Sequence, residues 1–263
     1  MVREITPDIY WFQECSEKSL DPFVRQNPDW YQPGRQVHSC RNAFLIDDEQ
    51  TLLFETLSPP AEQQILAGLD SVLAGRSLDY VVPSHPENPH AGNTLRVLEA
   101  HPEATLVAPA YGETHELYHL EDSDRAAPGD EINLGEHTVR FVEPSFVDHY
   151  MHIWMYEVTA DILFCVDWIG YRHMSGECLR CADEIDSELT VERLQDHPQS
   201  PFFWFQFADP KRTDAEIDEL IERYGESTLA PSHGQVIREN QTACMERMKA
   251  VVRVLKEDME VTV

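Results

Sequence analysis

The sequence predicts an α/β (α+β) chain folded as a four-layer αββα sandwich, in one domain spanning residues 1–263. Three observations carry this. Short apolar strands fall into two groups, one in each half of the chain, and each group is accompanied by helix-spaced stretches. Two such strand-rich halves pack sheet against sheet with helices outside. Histidine and carboxylate residues recur just after strands, which lines one sheet edge with metal-ligand chemistry. The length suffices to bury a large core, and no low-complexity segment or linker divides it.

Taken in order, residues 9–12 are apolar and aromatic and form a strand. Residues 14–41 contain Pro22, Pro28, Pro33 and Gly34 and read as a long irregular loop, a kind that is often functional. Residues 42–46 and 51–55 make a hairpin around Asp47-Asp48-Glu49-Gln50. Ser58 caps a helix that Pro59 and Pro60 open, with Ile65, Leu66, Leu69, Val72 and Leu73 as its buried stripe and Gly75 as its end. Residues 80–83 are a strand, 94–100 a helix, 105–108 a strand and 112–120 a short helix. Strands follow at 131–134, 138–142, 152–158 and 162–166. Thr213-Asp-Ala-Glu216 is a capping box, followed by Ile217, Leu220, Ile221 and Tyr224 at helical spacing. Residues 227–230 are a strand, and a last helix over about 240–257 buries Met245, Met248, Val251, Val252 and Leu255.

Residues 84–93 read S-H-P-E-N-P-H-A-G-N and place His85, Glu87 and His90 within six positions, between a strand and a helix. Further candidates follow later strands: Asp148 and His149 in the loop over 143–151, Asp167 after the 162–166 strand, and His233 after the 227–230 strand. The remaining histidines read as structural: His101, His115, His119, His137, His173 and His197 as surface or capping residues, His38 and His152 as neighbours of the expected pocket. The aromatic run Phe202-Phe203-Trp204-Phe205 with Phe207 reads as core or dimer packing rather than a substrate pocket.

The charge is lopsided, with 48 Asp+Glu against 20 Lys+Arg and a formal net charge of −28. Molar salt shortens the Debye length to about 3 Å and relieves such self-repulsion. The pattern resembles proteins of salt-loving archaea. Nucleic acid is excluded as an expected partner, because a phosphate backbone needs a basic face. No apolar run reaches the ~18–20 residues of a membrane span and no secretory signal opens the chain, so a cytoplasmic location and no membrane contact are expected. Of the six cysteines only Cys178 and Cys181 form a C-x-x-C pair, which alone is a weak signal and reads as coincidence or packing.

In this order the ligand candidates resemble the metallo-β-lactamase superfamily, and His-x-Glu at 85–87 resembles its flavodiiron branch, whose motif is H-x-E-x-D-H. Asn42-Ala-Phe-Leu-Ile46, Phe164-Cys-Val-Asp167-Trp-Ile-Gly170 and Ala230-Pro-Ser-His233-Gly234 extend the resemblance over nearly the whole chain. It implies that His85 and Glu87 bind a first metal, His90 and His233 a second, and that Asp167 bridges them. The implied cofactor is iron, two Fe or one, with zinc as the alternative; mixed carboxylate and imidazole ligands suit iron. The implied activity is binding or reducing O2 or NO. Flavodiiron proteins carry a flavodoxin domain, for which these 263 residues leave no room, so electrons are expected from a separate flavodoxin- or rubredoxin-like donor, with FMN supplied only by that partner. A homodimer is expected from the resemblance alone. Two departures stand out. Pro89 occupies the place of the motif Asp. By spacing from Asp167, Asp148 falls where the family has His and His149 one residue later, so either is a candidate ligand. A zinc hydrolase of ester, thioester or lactone bonds and a non-catalytic sensor with a degenerate site remain the alternatives.

Overall fold

The computed structural model describes residues 1–18, 31, 36–110, 123–186, 188–197 and 201–260. The strands are β1 (Val2–Thr6), β2 (Ile9–Lys18), β3 (Val37–Asp47), β4 (Thr51–Phe54), β5 (Tyr80–Val82), β6 (Thr105–Pro109), β7 (Asp124–Ala126), β8 (Glu131–Asn133), β9 (Thr138–Val142), β10 (Trp154–Glu157), β11 (Ile162–Val166), β12 (His173–Met174) and β13 (Thr228–Pro231). The helices are α1 (Glu62–Leu73), α2 (Asn88–Ala91), α3 (Thr94–Ala100), α4 (Val191–Gln195), α5 (Pro210–Tyr224) and α6 (Gln241–Glu260).

One sheet runs β1-β2-β3-β4-β5-β6-β7, with β12 paired to β3; the other runs β13-β11-β10-β9-β8. The meander β1 to β4 is antiparallel. β4, β5 and β6 are parallel, as the intervening helices α1 to α3 require. Alternation places the layers. Trp11, Phe44, Ile46, Leu52, Phe54 and Val82 join the main core. Their strand neighbours Phe12, Ala43, Leu45, Leu53 and Val81 pack instead with Ile65, Leu69 and Leu73 of α1. Phe164 of β11 meets Phe44 and Phe54 at ring-centroid distances of 5.0 and 5.5 Å, which brings the two sheets face to face. Gly68 lets α1 approach this closely, because a Cβ there would lie 2.5 Å from the Phe12 ring. The αββα layering read from the sequence is thus the observed architecture.

Several local expectations change. The loop expected over 14–41 begins and ends as strand: β2 runs on to Lys18 and pairs with β3 from Val37. Residues 19–30 and 32–35, and the expected helix at 112–120, lie outside the described residues. Ser58 does not cap a helix; its hydroxyl donates to Glu14 (2.5 Å to Oε1), and a 3-10 turn over Pro59–Ala61 precedes α1. α5 starts earlier than the Thr213 box. Asp209 caps it, accepting from the Lys211 amide at 3.0 Å, and Pro210 occupies its first turn. Phe202 and Phe205 are core, whereas Phe203 and Phe207 are exposed.

The N-terminal strand is tied down by Arg3, whose guanidinium donates to both carboxylate oxygens of Glu184 at 2.5 and 2.7 Å and to the Leu179 carbonyl at 2.7 Å. The Arg3 hydrogen bonds outweigh partial burial and hold Glu184 at about 2, against an ordinary 4.5. A depressed carboxylate stabilises above its unfolded pKa, and that stabilisation fades as pH falls from about 4.5 to about 2. Arg3→Ala is expected to cost up to about 1 kcal/mol at neutral pH, since both partners are about a third exposed. The difference between variant and wild type in urea melts should close by about pH 2.

Candidate metal centre

The chemistry-bearing residues gather at the C-terminal ends of the parallel strands. β5 delivers His85 through Pro83 and Ser84, α2 carries His90 with Glu87 at its N-cap, β11 leads into Asp167 and β13 leads into His233. The backbone at these strand ends is forced. Glu55, Leu57 and Val166 hold φ of 67°, 60° and 49°, and for β-branched Val166 that is a strained conformation. It turns the chain sharply just before Asp167.

Asp167 lies at the middle. Its Oδ2 is 3.4 Å from His90 Nε2 and 3.7 Å from His85 Nε2, and its Oδ1 is 3.0 Å from His233 Nε2. One carboxylate thus faces imidazoles on both sides. His85, His90 and Asp167 form one group of donor atoms that a cation could share. His85, Glu87 and Asp148 form a second, and Asp148, His152 and Asp167 a third. Within each group the donor atoms lie within 4.8 Å of one another. His85 Nε2, His152 Nε2 and Asp167 Oδ2 are buried with no hydrogen-bond partner. Orphaned polar atoms converging on one point are costly unless a ligand satisfies them, so the residues present fit a bound metal.

The outer ring of contacts fixes the imidazoles. His233 Nδ1 donates to the Cys40 carbonyl at 2.8 Å, which leaves Nε2 as the inward nitrogen. His90 Nδ1 lies 3.0 Å from Glu55 Oε1. Glu55 also accepts from the Ser84 amide and the Ser232 hydroxyl, both at 3.2 Å. Thr56 donates its amide to the His90 carbonyl at 2.7 Å, and Asn93 clamps the Thr56 and Ser58 carbonyls at 2.8 Å. Asn42 donates its amide NH2 to the Pro231 and Gly234 carbonyls at 2.7 Å and so fixes the His233 turn.

Electrostatics follow from this packing. Burial pulls His90 down, but Asp167 and Glu55 outweigh it and hold His90 well above its ordinary value. Burial likewise opposes Asp167, yet His90 and His233 keep it well below the carboxylate range. His85 is depressed by burial and by the nearby His90 and His152. In the metal-free centre this favours the protonated form of His90, and a cation that binds there displaces that proton.

All seven residues singled out from the sequence lie in this region, and the structure separates their surroundings. Asp148 belongs to two donor groups and lies 3.2 Å from His152 Nδ1. His149 belongs to none; its Nδ1 accepts from the Met151 amide at 3.1 Å and its ring stacks on the exposed Tyr150. Pro89 lies in the first turn of α2 and lines the cleft. Sequence reasoning missed Glu55 and His197, and it placed His152 near the pocket only as a structural residue. His152 stacks on His85 at 4.6 Å. His197 is half-buried with its ring 5.0 Å from that of His233, and desolvation with that neighbour lowers it to about 3. Gly170 makes room for it, since a side chain at 170 would run into the His197 ring. The centre opens on a cleft of about 450 Å³ lined by Glu87, Pro89, Tyr171, Arg172 and Phe203 among others.

Comparison with known proteins agrees with this fold. The family model described as Metallo-beta-lactamase superfamily matches residues 41–173, half of the chain. A nitric oxide reductase of Moorella thermoacetica is 25% identical over 242 residues, covering 90% of this chain and 57% of its own. The rubredoxin-oxygen oxidoreductase of Megalodesulfovibrio gigas is 31% identical over 204 residues, covering 75% of this chain and 49% of its own. The chain thus spans about half the length of these curated relatives. Among solved structures, the flavodiiron protein of Giardia intestinalis superposes with a TM-score of 0.72 at 19% identity, over 96% of this chain and 59% of that one.

Proposed function

This chain belongs to the metallo-beta-lactamase superfamily, and we propose that it is a non-haem di-iron protein that binds or reduces O2 or NO with electrons from a separate protein donor. The observation that carries this reading is the donor set. Three carboxylates (Glu87, Asp148 and Asp167) meet His85, His90 and His233 with no thiolate among them, and hard oxygen with imidazole favours iron over zinc. The relatives named as nitric oxide reductase and rubredoxin-oxygen oxidoreductase support the same substrates and donor type.

In this reading His85, Glu87 and Asp148 would hold the first metal and His90 and His233 the second, with Asp167 available to both. Asp148 takes the place that the sequence leaves open between it and His149. Bound iron supplies the one-electron chemistry that amino-acid side chains lack. The chain's own groups do the rest. Glu55 and the Cys40 carbonyl hold His90 and His233 with Nε2 inward. Buried Trp168, flanked by Phe146 and Trp154 at centroid distances of 5.5 and 5.6 Å, backs the centre with apolar surface. Among the described residues no helix is long and apolar enough to cross a membrane, so a donor that reaches the cleft mouth from solution is compatible with the fold.

Metal analysis tests the proposal. Protein purified without oxygen in high salt is expected to carry iron at close to two per chain, with a ferric absorption that dithionite bleaches and O2 or NO restores or shifts. Stoichiometric zinc, refusal of ferrous iron and hydrolysis of a generic ester would overturn it in favour of a zinc hydrolase on the same fold.

A further inference from the structure

A second cluster of ligand-type side chains lies on the same sheet, outside the centre just described. β2 contributes Cys15, β3 contributes His38, β12 contributes His173, and the turn after β12 contributes Cys178. The register brings them together. Cys15 pairs with Cys40, two residues from His38, and His173 pairs directly with His38. Residues two apart on a strand and residues directly opposite one another share a face, so Cys15, His38 and His173 project from one side of the sheet.

The turn then folds Cys178 over them. Gly176 and Leu179 take φ of 88° and 56°, and the Leu179 amide is pinned to Gln13 Oε1 at 2.7 Å. Cys178 Sγ lies 3.3 Å from Cys15 Sγ and 3.1 Å from His38 Nδ1, and Cys15 Sγ lies 3.7 Å from His173 Nε2. All four donor atoms fall within 4.8 Å of one another. Zinc bonds of about 2.3 Å to sulfur and about 2.0–2.1 Å to nitrogen put tetrahedral neighbours about 3.3–3.8 Å apart. The three contacts, at 3.1, 3.3 and 3.7 Å, sit at or near that range. We propose that Cys15, His38, His173 and Cys178 form a closed Cys2His2 site for a structural Zn2+ ion, which staples the Cys178 turn to β2, β3 and β12.

The donor set separates this site from the first. Two soft sulfurs with two imidazoles select zinc, whereas the first centre offers carboxylates and imidazoles only. His173 is fully buried and the other three are half-buried, as suits a site with no open position for substrate. The site also bears on the first centre. His38 is two residues from Cys40, whose carbonyl orients His233, and the Tyr171 amide donates to the His233 carbonyl at 3.2 Å.

Cobalt substitution tests this independently of the proposed di-iron function, because thiolate-to-cobalt charge-transfer absorption arises only where sulfur binds the ion. The full chain, reduced and stripped of metal, is titrated with Co2+. The expected result is a thiolate charge-transfer band saturating at one ion per chain, displaced by Zn2+, retained in Asp167→Asn and lost in Cys15→Ala/Cys178→Ala. Zinc-loaded wild type should show two sulfur and two nitrogen neighbours by X-ray absorption, a readout that needs no variant to fold. Absence of the band in reduced wild type would overturn the proposal, as would its survival in the double variant. A Cys15–Cys178 disulfide in the isolated chain that binds no cobalt through sulfur after reduction would also overturn it.

Discussion

Asp167→Asn is expected to strip the carboxylate-lined centre of iron. The substitution keeps the shape of the side chain and removes the one charge that faces His85, His90 and His233 together. Outer contacts of a metal ligand are worth about 10–100-fold in affinity, and a carboxylate spanning both metals should exceed that range. Protons offset only part of the loss. In the metal-free wild type, Asp167 and Glu55 hold His90 protonated well above its ordinary value. Asparagine leaves Glu55 alone to do so, which eases the loss of the proton that competes with a cation, but the amide NH2 points a donor at imidazole nitrogens that must stay free for metal. Iron per chain measured after anaerobic loading should fall to background, while circular dichroism keeps the native signal, because His90 and His233 retain Glu55 and the Cys40 carbonyl. Full iron retention would remove Asp167 from the centre and with it the bridging role.

Glu55 is the instructive contrast. It touches no substrate-facing surface, yet it holds His90, Ser84 and Ser232 at once. Nothing in the sequence marks it beyond its position as an acidic residue at a strand end. Its part depends on the parallel pairing of β4 with β5, where the Glu55 amide donates to the Val82 carbonyl at 3.0 Å. Such a contact links residues 29 positions from Ser84 and 177 from Ser232, and no local pattern encodes it. His85, Glu87 and His90 were legible for the opposite reason: they are close in sequence and share one strand-to-helix turn. Asp167 and His233 were legible because they follow apolar strands within the segments Phe164–Gly170 and Ala230–Gly234, which resemble a known family, and Glu55 has no such segment around it.

The layers of the fold were legible for a similar local reason. Alternation in β2 to β4 and the helical stripe of α1 each report one buried face. The short strands were not. β1 carries Arg3 and Glu4 and β7 begins with Asp124 and Arg125, and such edge strands hold too few apolar residues to show a period. β12 has two residues and exists only through its pairing with His38 and Val37. The start of α5 was misplaced although its signal was present. Asp209 followed by Pro210 is a cap and a first-turn proline, and the competing Thr-x-x-Glu pattern lies within the helix. His152 was placed beside the pocket but not among its ligands, because the sequence puts it on the 152–158 strand, whereas β10 begins at Trp154 and leaves the His152 ring stacked on His85.

Pro89→Asp is expected to tighten the second metal and to reverse sign between the empty and the loaded protein. Pro89 lines the cleft beside His90, Asp167 and His233, so a carboxylate there adds a hard donor on the side that has only two imidazoles and a shared Asp167. The backbone tolerates the change, since position 89 lies in the first turn of α2, where an added N–H needs no intrahelical partner. The empty variant should nevertheless melt slightly below wild type, because losing a proline frees the unfolded chain by about 0.4–1 kcal/mol. With ferrous iron present the order should invert. A gain of tenfold or more in second-metal affinity, on the order of 1.4 kcal/mol or more, outweighs the entropic loss once iron exceeds the dissociation constant. Anaerobic iron titration separates the cases: wild type should fill in two phases, and the variant in one steeper phase ending at the same two ions. An unchanged second phase would mean that the second ion does not sit between His90 and His233.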